Sequence, residues 1–346
     1  MVGETTQPPA LLQDLLPGVS RSFALSLRVL PAPLRHPFGI TYLLARAADT
    51  LADTRALPPA ERREHVEALR AALRSAEGAT LDRVATLVAS DHPLAERRLL
   101  ERLPEVLAAY RTFPPEDRAH AQTLLLTLTQ AMLDTLIHVS PETAGRIEAL
   151  ETRADLDRYT YMNAGCVGEF WTDMVAAHRP RCRGWNVPLM RSRAVRFGQG
   201  LQLTNVVRDL PRDLRSGRCY LPRSELAGLG LAPEDLLDPV ALRRVRPLVS
   251  ALVADALAGL REGLAYTLAV PRREARLRLA CAWPLLIGLA TLARITRAPD
   301  LLDPAVVVKV PRPEVRGILA LSAALVASNR GLRAYAHRLA AAVPAE

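Results

Sequence analysis

Apolar residues recur at three- and four-residue spacing from Leu11 nearly to the end of the chain, without the alternation of a half-buried strand. That pattern confines the fold to helices packed on helices. It predicts a helix over residues 11–30, stopped by Pro31-Ala-Pro33, and a second over 36–54, ending before Pro58-Pro59. Residues 61–75 read as amphipathic, as do 94–110, which Pro104 bends or divides. Pro114-Pro115 opens a helix over 116–138. A long apolar helix over 151–178 follows, then one over 192–210 that Pro211 ends, and a loop over 212–229. Residues 239–270, 272–297 and 312–342 complete the set, and 306–310 is the single strand candidate. No repeat or linker divides the chain. Residues 1–10 are expected to be a flexible N-terminus, and 11–342 one all-α domain built as a helical bundle around a central cavity. With 346 residues, 49% of them hydrophobic, the chain has material for such a core.

The formal charge is +9, and Lys309 is the only lysine among the 45 basic residues. No dense basic run with interleaved aromatics occurs, so nucleic acid is not an expected partner. The four cysteines (Cys166, Cys182, Cys219, Cys281) show neither CxxC nor Cys/His metal spacing and read as buried or free thiols of a reducing compartment. The first ten residues lack the basic and then apolar order of a signal peptide. The longest apolar run, 279–293, is 15 residues, too short to span a bilayer and suited to a buried helix. A cytoplasmic protein, at most peripherally attached to a membrane, is expected.

The chemistry is carried by two acidic pairs, Asp49-Thr-Leu-Ala-Asp53 and Asp209-Leu-Pro-Arg-Asp213. Carboxylates at i and i+4 lie on one helix face about 5–6 Å apart at Cβ. They repel unless a cation sits between them; a solvated helix turn is the plain alternative. Mg²⁺ (or Mn²⁺) takes oxygen ligands and joins carboxylates to substrate phosphates. Gln202, Asn205, Asp209 and Asp213 form one row of oxygen ligands at helical spacing, flanked by Arg208 and Arg218. The arginine fork suits phosphate. Asp49, Asp53, Asn205, Asp209 and Asp213 are therefore the candidate metal ligands.

Four segments resemble the head-to-head prenyl synthases, the squalene and phytoene synthase family. They are Ser20-Arg-Ser-Phe23, YLLARAADTLAD over 42–53, YTYMNAG over 159–165 and NVVRDLPRDLRSGRCYLP over 205–222. The resemblance implies the isoprenoid synthase fold, Mg²⁺ dependence and two prenyl diphosphate substrates. It implies that Arg46, Arg208 and Arg218 hold the leaving diphosphate, and that Tyr159 stabilises cationic charge or helps remove a proton. It also implies that Ser20, Arg21, Ser22, Phe23, Gln202 and Tyr220 bind substrate; an N-cap followed by an apolar residue is the plain reading of the first four. Trp171 and Trp283 read as core.

Within the family, CAWPLLIGLATLA over 281–293 and Val308-Lys-Val310 look like squalene synthases. That implies condensation of two farnesyl diphosphates to presqualene diphosphate and reduction with NADPH to squalene, and no C-terminal anchor is expected after residue 342. Phytoene or dehydrosqualene formation, which needs no reductant, is the alternative, and a helical scaffold with a decayed metal face is the non-enzyme reading. Arg212 stands where many relatives carry an acid, which puts metal affinity there in doubt. No G-x-G-x-x-G marks a nucleotide site.

Overall fold

A computed structural model describes residues 8–20, 23–54, 57–75, 93–138 and 147–343. They fall into two compact units: Met1–Ile137 with Asp173–His178, and His138–Thr172 with Arg179–Glu346.

The first unit holds helices α1 (Pro8–Val19), α2 (Phe23–Val29), α3 (Ala32–Asp53), α4 (Pro59–Arg74), α5 (Leu94–Glu101), α6 (Leu103–Arg111) and α7 (Pro115–His138). Prolines in the first turns of α3, α4 and α6 sit where the helix lacks an N–H partner anyway. Helix α3 is central: Leu34, Phe38, Leu44, Ala48 and Leu51 are buried at helical spacing, which leaves its far end to carry Arg46, Asp49 and Asp53. The expected effect of Pro104 is met by division. The break falls at Arg102 (φ −100°, ψ 12°), whose guanidinium bonds Glu105 at 2.7 Å and Asp14 on α1.

The second unit is dominated by α10 (Val187–Arg215) and α12 (Leu242–Ala269), crossed so closely that neither tolerates a side chain at the contact. A Cβ on Gly200 would lie 2.8 Å from the Ala256 carbonyl oxygen and 3.0 Å from the Gly259 Cα. The expected helix over 151–178 is interrupted. It begins at a capping box between Thr152 and Asp155, runs as α8 (Arg153–Thr160), passes one π-helical turn (Tyr161–Gly165) and continues as α9 (Cys166–His178). Gly198 of α10 seats that turn, since a Cβ there would be 2.3 Å from the Ala164 carbonyl oxygen. Helices α11 (Arg223–Gly228), α13 (Ala275–Ile295), α14 (Arg312–Leu325) and α15 (Asn329–Ala340) complete the unit.

Several sequence expectations are corrected: the helix expected over 11–30 divides into α1 and α2, and α1 begins at Pro8, within the stretch expected to be a flexible N-terminus. Helix α10 does not stop at Pro211 but runs to Arg215: the missing N–H leaves only the Val207 carbonyl without its donor, and Pro211 is buried. The loop expected over 212–229 consequently begins later and contains α11. Residues 306–310 form no strand, and Val307 stays 78% exposed. The strands among the described residues are instead a two-residue parallel pair, β1 (Glu148–Ala149) with β2 (Arg218–Cys219). The helix expected over 312–342 divides because the Ser328 side chain accepts from the Gly331 N–H and caps α15.

Helix α13 carries the apolar run read from sequence. At 21 residues it has the length and composition to cross a membrane, yet 72% of its most apolar window is buried within the protein. All four cysteines are buried free thiols.

Candidate active site

The carboxylates of the second acidic pair share one face of α10, as Asp209 and Asp213 remain in continuous helix through Pro211. Arg208 grips Asp209 with two parallel bonds, Nε to Oδ1 at 2.9 Å and Nη2 to Oδ2 at 2.6 Å. Arg212 is 76% exposed, and its Nη2 lies 3.4 Å from Asp209 and 3.5 Å from Asp213, in reach of both but tight on neither. Burial pushes the Asp213 carboxyl up to about 6; Arg212 opposes the rise and Asp209 adds to it.

One turn back, the row turns from charged to neutral. The Asn205 amide donates to the Gln202 side-chain oxygen at 3.4 Å, and the Gln202 amide donates to the Tyr159 phenol oxygen at 3.3 Å. Tyr159 lies in the last turn of α8, two residues before the π-helical turn, a local widening that recurs at functional sites. Its ring stacks on Tyr220, centroids 4.5 Å apart and planes 23° from parallel. Burial, then Tyr220, pushes its phenol pKa far above the ordinary value. Tyr220 follows directly on β2, so the β1–β2 pair fixes the segment that carries it. Arg218 lies on β2, and its charge acts on Asp213 to lower that carboxyl.

The first unit carries the other pair at the end of α3. Arg46 bonds Asp49 one turn on and donates through Nη2 to Glu96 of α5 at 2.5 Å. Its Nε is buried without a hydrogen-bond partner. Asp49 is pushed up to about 6, by burial first and by Asp53 second, although its side chain keeps 41% exposure. Asp53 is exposed and Ser20 buried. Arg21 and Ser22 lie outside the described residues, while Phe23 opens α2.

The structure thus groups Tyr159, Gln202, Asn205, Arg208, Asp209, Asp213, Arg218 and Tyr220 in one unit, and Arg46, Asp49, Asp53 and Ser20 in the other. Three features were missed from sequence. Glu96 reaches Arg46 only through tertiary packing, the π-helical turn has no sequence signal of its own, and the Tyr159–Tyr220 stack joins residues far apart in the chain. Among the described residues, no three acidic, His or Cys side chains are already gathered as a metal cluster.

The chain is similar to known proteins over most of its length. It matches the family model for squalene/phytoene synthase over residues 16–314. A squalene synthase of Eremothecium gossypii is 27% identical over 295 residues, which is 82% of this chain but 61% of that relative, so the chain spans less than two thirds of the relative's length. A phytoene synthase of Thermus thermophilus is 37% identical over 116 residues, covering 34% of this chain and 37% of that one. The solved complex of TcSQS with the ligand E5700 aligns with a TM-score of 0.78 at 25% identity, over 98% of this chain and 93% of that one. This likeness identifies the architecture as the isoprenoid synthase fold. With the family model matched across both acidic pairs, the chain belongs to the squalene/phytoene synthase family.

Proposed function

We propose that the protein catalyses head-to-head condensation of two prenyl diphosphates, taking farnesyl diphosphate to presqualene diphosphate and, with NADPH, to squalene. The reading is carried by the single face of α10 on which Asp213 and Asp209 give way to Asn205 and to Gln202, whose amide reaches the phenol of Tyr159 on α8. Such a face offers oxygen ligands for a metal diphosphate at one end and a neutral, buried hydroxyl at the other.

The donor set fits a hard divalent cation. Asp49 and Asp213 are each held near 6 by burial and by a carboxylate one turn away, a penalty that neighbouring arginines leave in place. Mg²⁺ at Asp49 and Asp53, and at Asn205, Asp209 and Asp213, would remove that penalty. When bound it supplies charge neutralisation as the allylic C–O bond breaks. The protein's own groups do the rest. Arg46, with its unpartnered Nε, and Arg208 and Arg218 hold the departing diphosphate. Departure leaves an allylic cation, the C2=C3 alkene of the second substrate attacks it, and loss of one proton closes the cyclopropane. Tyr159, kept un-ionised by burial and oriented by Gln202 and Tyr220, presents its oxygen lone pair to the cation, and the proton lost passes by way of that oxygen to the departed diphosphate, the base the reaction itself supplies. Ser20, Arg21, Ser22 and Phe23 complete the substrate contacts. In this reading 11–342 work as one synthase domain, cytoplasmic or peripheral at a membrane.

The two short strands open no glycine-rich turn into a helix, so the described residues hold no Rossmann-type dinucleotide cradle. A second reading is phytoene or dehydrosqualene formation without reductant, supported by the 37% identity over 116 residues to a phytoene synthase of Thermus thermophilus. Labelled C15 and C20 diphosphates, each with and without NADPH, separate the two by product length and by reductant dependence.

A further inference from the structure

Outside the candidate active site, a groove between α12 and α15 encloses about 850 Å³, inside the roughly 300–1,000 Å³ typical of small-molecule sites. Leu257, Leu264 and Leu268 form a half-buried wall along α12, and Leu260 and Ala336 are its buried floor. The edge is basic, with Arg261, Arg333 and His337 all exposed. This charge is unbalanced locally. Helix α15 carries three arginines and a histidine and no acid. The two acids of α12, Asp255 and Glu262, are engaged by Arg153 and Arg193. Among the described residues no carboxylate pairs with Arg261 or Arg333.

We propose that this groove binds a single-chain amphiphile with a phosphate head, the hydrocarbon along Leu257, Leu264 and Leu268 and the head on Arg261 and Arg333. The arginine fork matches phosphate, and apolar walls beside it select a chain over a free anion. The shape decides between one chain and a bilayer. A membrane-inserting face projects its apolar side chains, whereas these line a concavity; among the described residues the exposed large hydrophobics Leu94, Leu189, Leu237, Val240, Val307 and Leu321 are not part of its lining. The occupant is thus a monomer taken from solution.

Calorimetric titration of the full chain with dodecyl phosphate below its micelle-forming concentration, in EDTA to silence metal-dependent binding, tests the proposal. One molecule should bind per chain. Arg261→Gln with Arg333→Gln should weaken it by about tenfold or more, the loss expected when charged hydrogen bonds are removed. Arg243→Gln, which removes an exposed charge elsewhere, should not. Leu264→Ser should weaken dodecyl phosphate and leave inorganic phosphate, itself a poor ligand, unaffected. Turnover should be unchanged in the double arginine variant. Undiminished affinity in that variant, inorganic phosphate binding as tightly as dodecyl phosphate, or phosphatidylglycerol vesicles binding without competition from dodecyl phosphate would each overturn it.

Discussion

The Gln202 side-chain amide donates to the phenol oxygen of Tyr159 at 3.3 Å, tying the helix that carries Asp209 and Asp213 to a half-buried tyrosine two residues ahead of a π-helical turn. The bond fixes the phenol oxygen without using its proton, and the Tyr220 side chain is the second hydrogen-bond partner of the same phenol. Tyr159→Phe is predicted to lower kcat by about 100-fold or more, the range for a positioned proton-transfer group. Gln202→Leu should cost about tenfold, the worth of one hydrogen bond. Steady-state kinetics check both, with melting curves to show the fold intact; equal and small losses would reduce Tyr159 to packing.

Asp209→Asn and Asp49→Asn keep shape and remove charge. Each is predicted to abolish diphosphate release at ordinary Mg²⁺ while leaving the helical circular dichroism unchanged. Near-normal turnover of either variant at saturating Mg²⁺ would remove that residue from the metal site.

Arg212 reaches toward two carboxylates at 3.4 and 3.5 Å from an exposed position. On the proposed reading it competes with a dication for the same oxygens, and exposed pairs of this kind are worth about 0.2–1 kcal/mol. Arg212→Glu should therefore lower the Mg²⁺ concentration giving half-maximal rate several-fold, as read from Mg²⁺ titrations of the initial rate. A raised KM at constant Mg²⁺ requirement would show that the arginine contacts substrate instead.

Stability should depend on pH through Asp213. Its folded pKa, about 6, lies above the unfolded value of 3.8, so the folded chain binds more protons between the two. Metal-free stability then falls as pH rises from 4 through 6, by at most about 2–3 kcal/mol from this group. Metal-free Tm should be lower at pH 7.5 than at pH 5, Asp213→Asn should flatten the difference, and Mg²⁺ should restore Tm at pH 7.5. A pH-independent Tm contradicts the burial argument.

How much was legible from the sequence follows from what each feature depends on. The acidic pairs and the oxygen row needed only helical spacing, and the division at Pro104 needed only a missing N–H. Pro211 misled because a late proline in a long helix forfeits a single bond that packing at both ends outweighs. Glu96 meets Arg46, and Tyr220 meets Tyr159, through contacts that no local pattern encodes. The π-helical turn depends on Gly198 admitting the Ala164 carbonyl, which a sequence read for amphipathicity does not reveal.

The central claim, that two C15 diphosphates are joined and then reduced, is tested most directly by product analysis of purified protein with labelled farnesyl diphosphate and Mg²⁺. Without NADPH, presqualene diphosphate is predicted to accumulate, and adding NADPH should convert that pool to squalene. A C40 product formed from C20 substrate at higher kcat/KM, or a C30 product unchanged by NADPH, would contradict it.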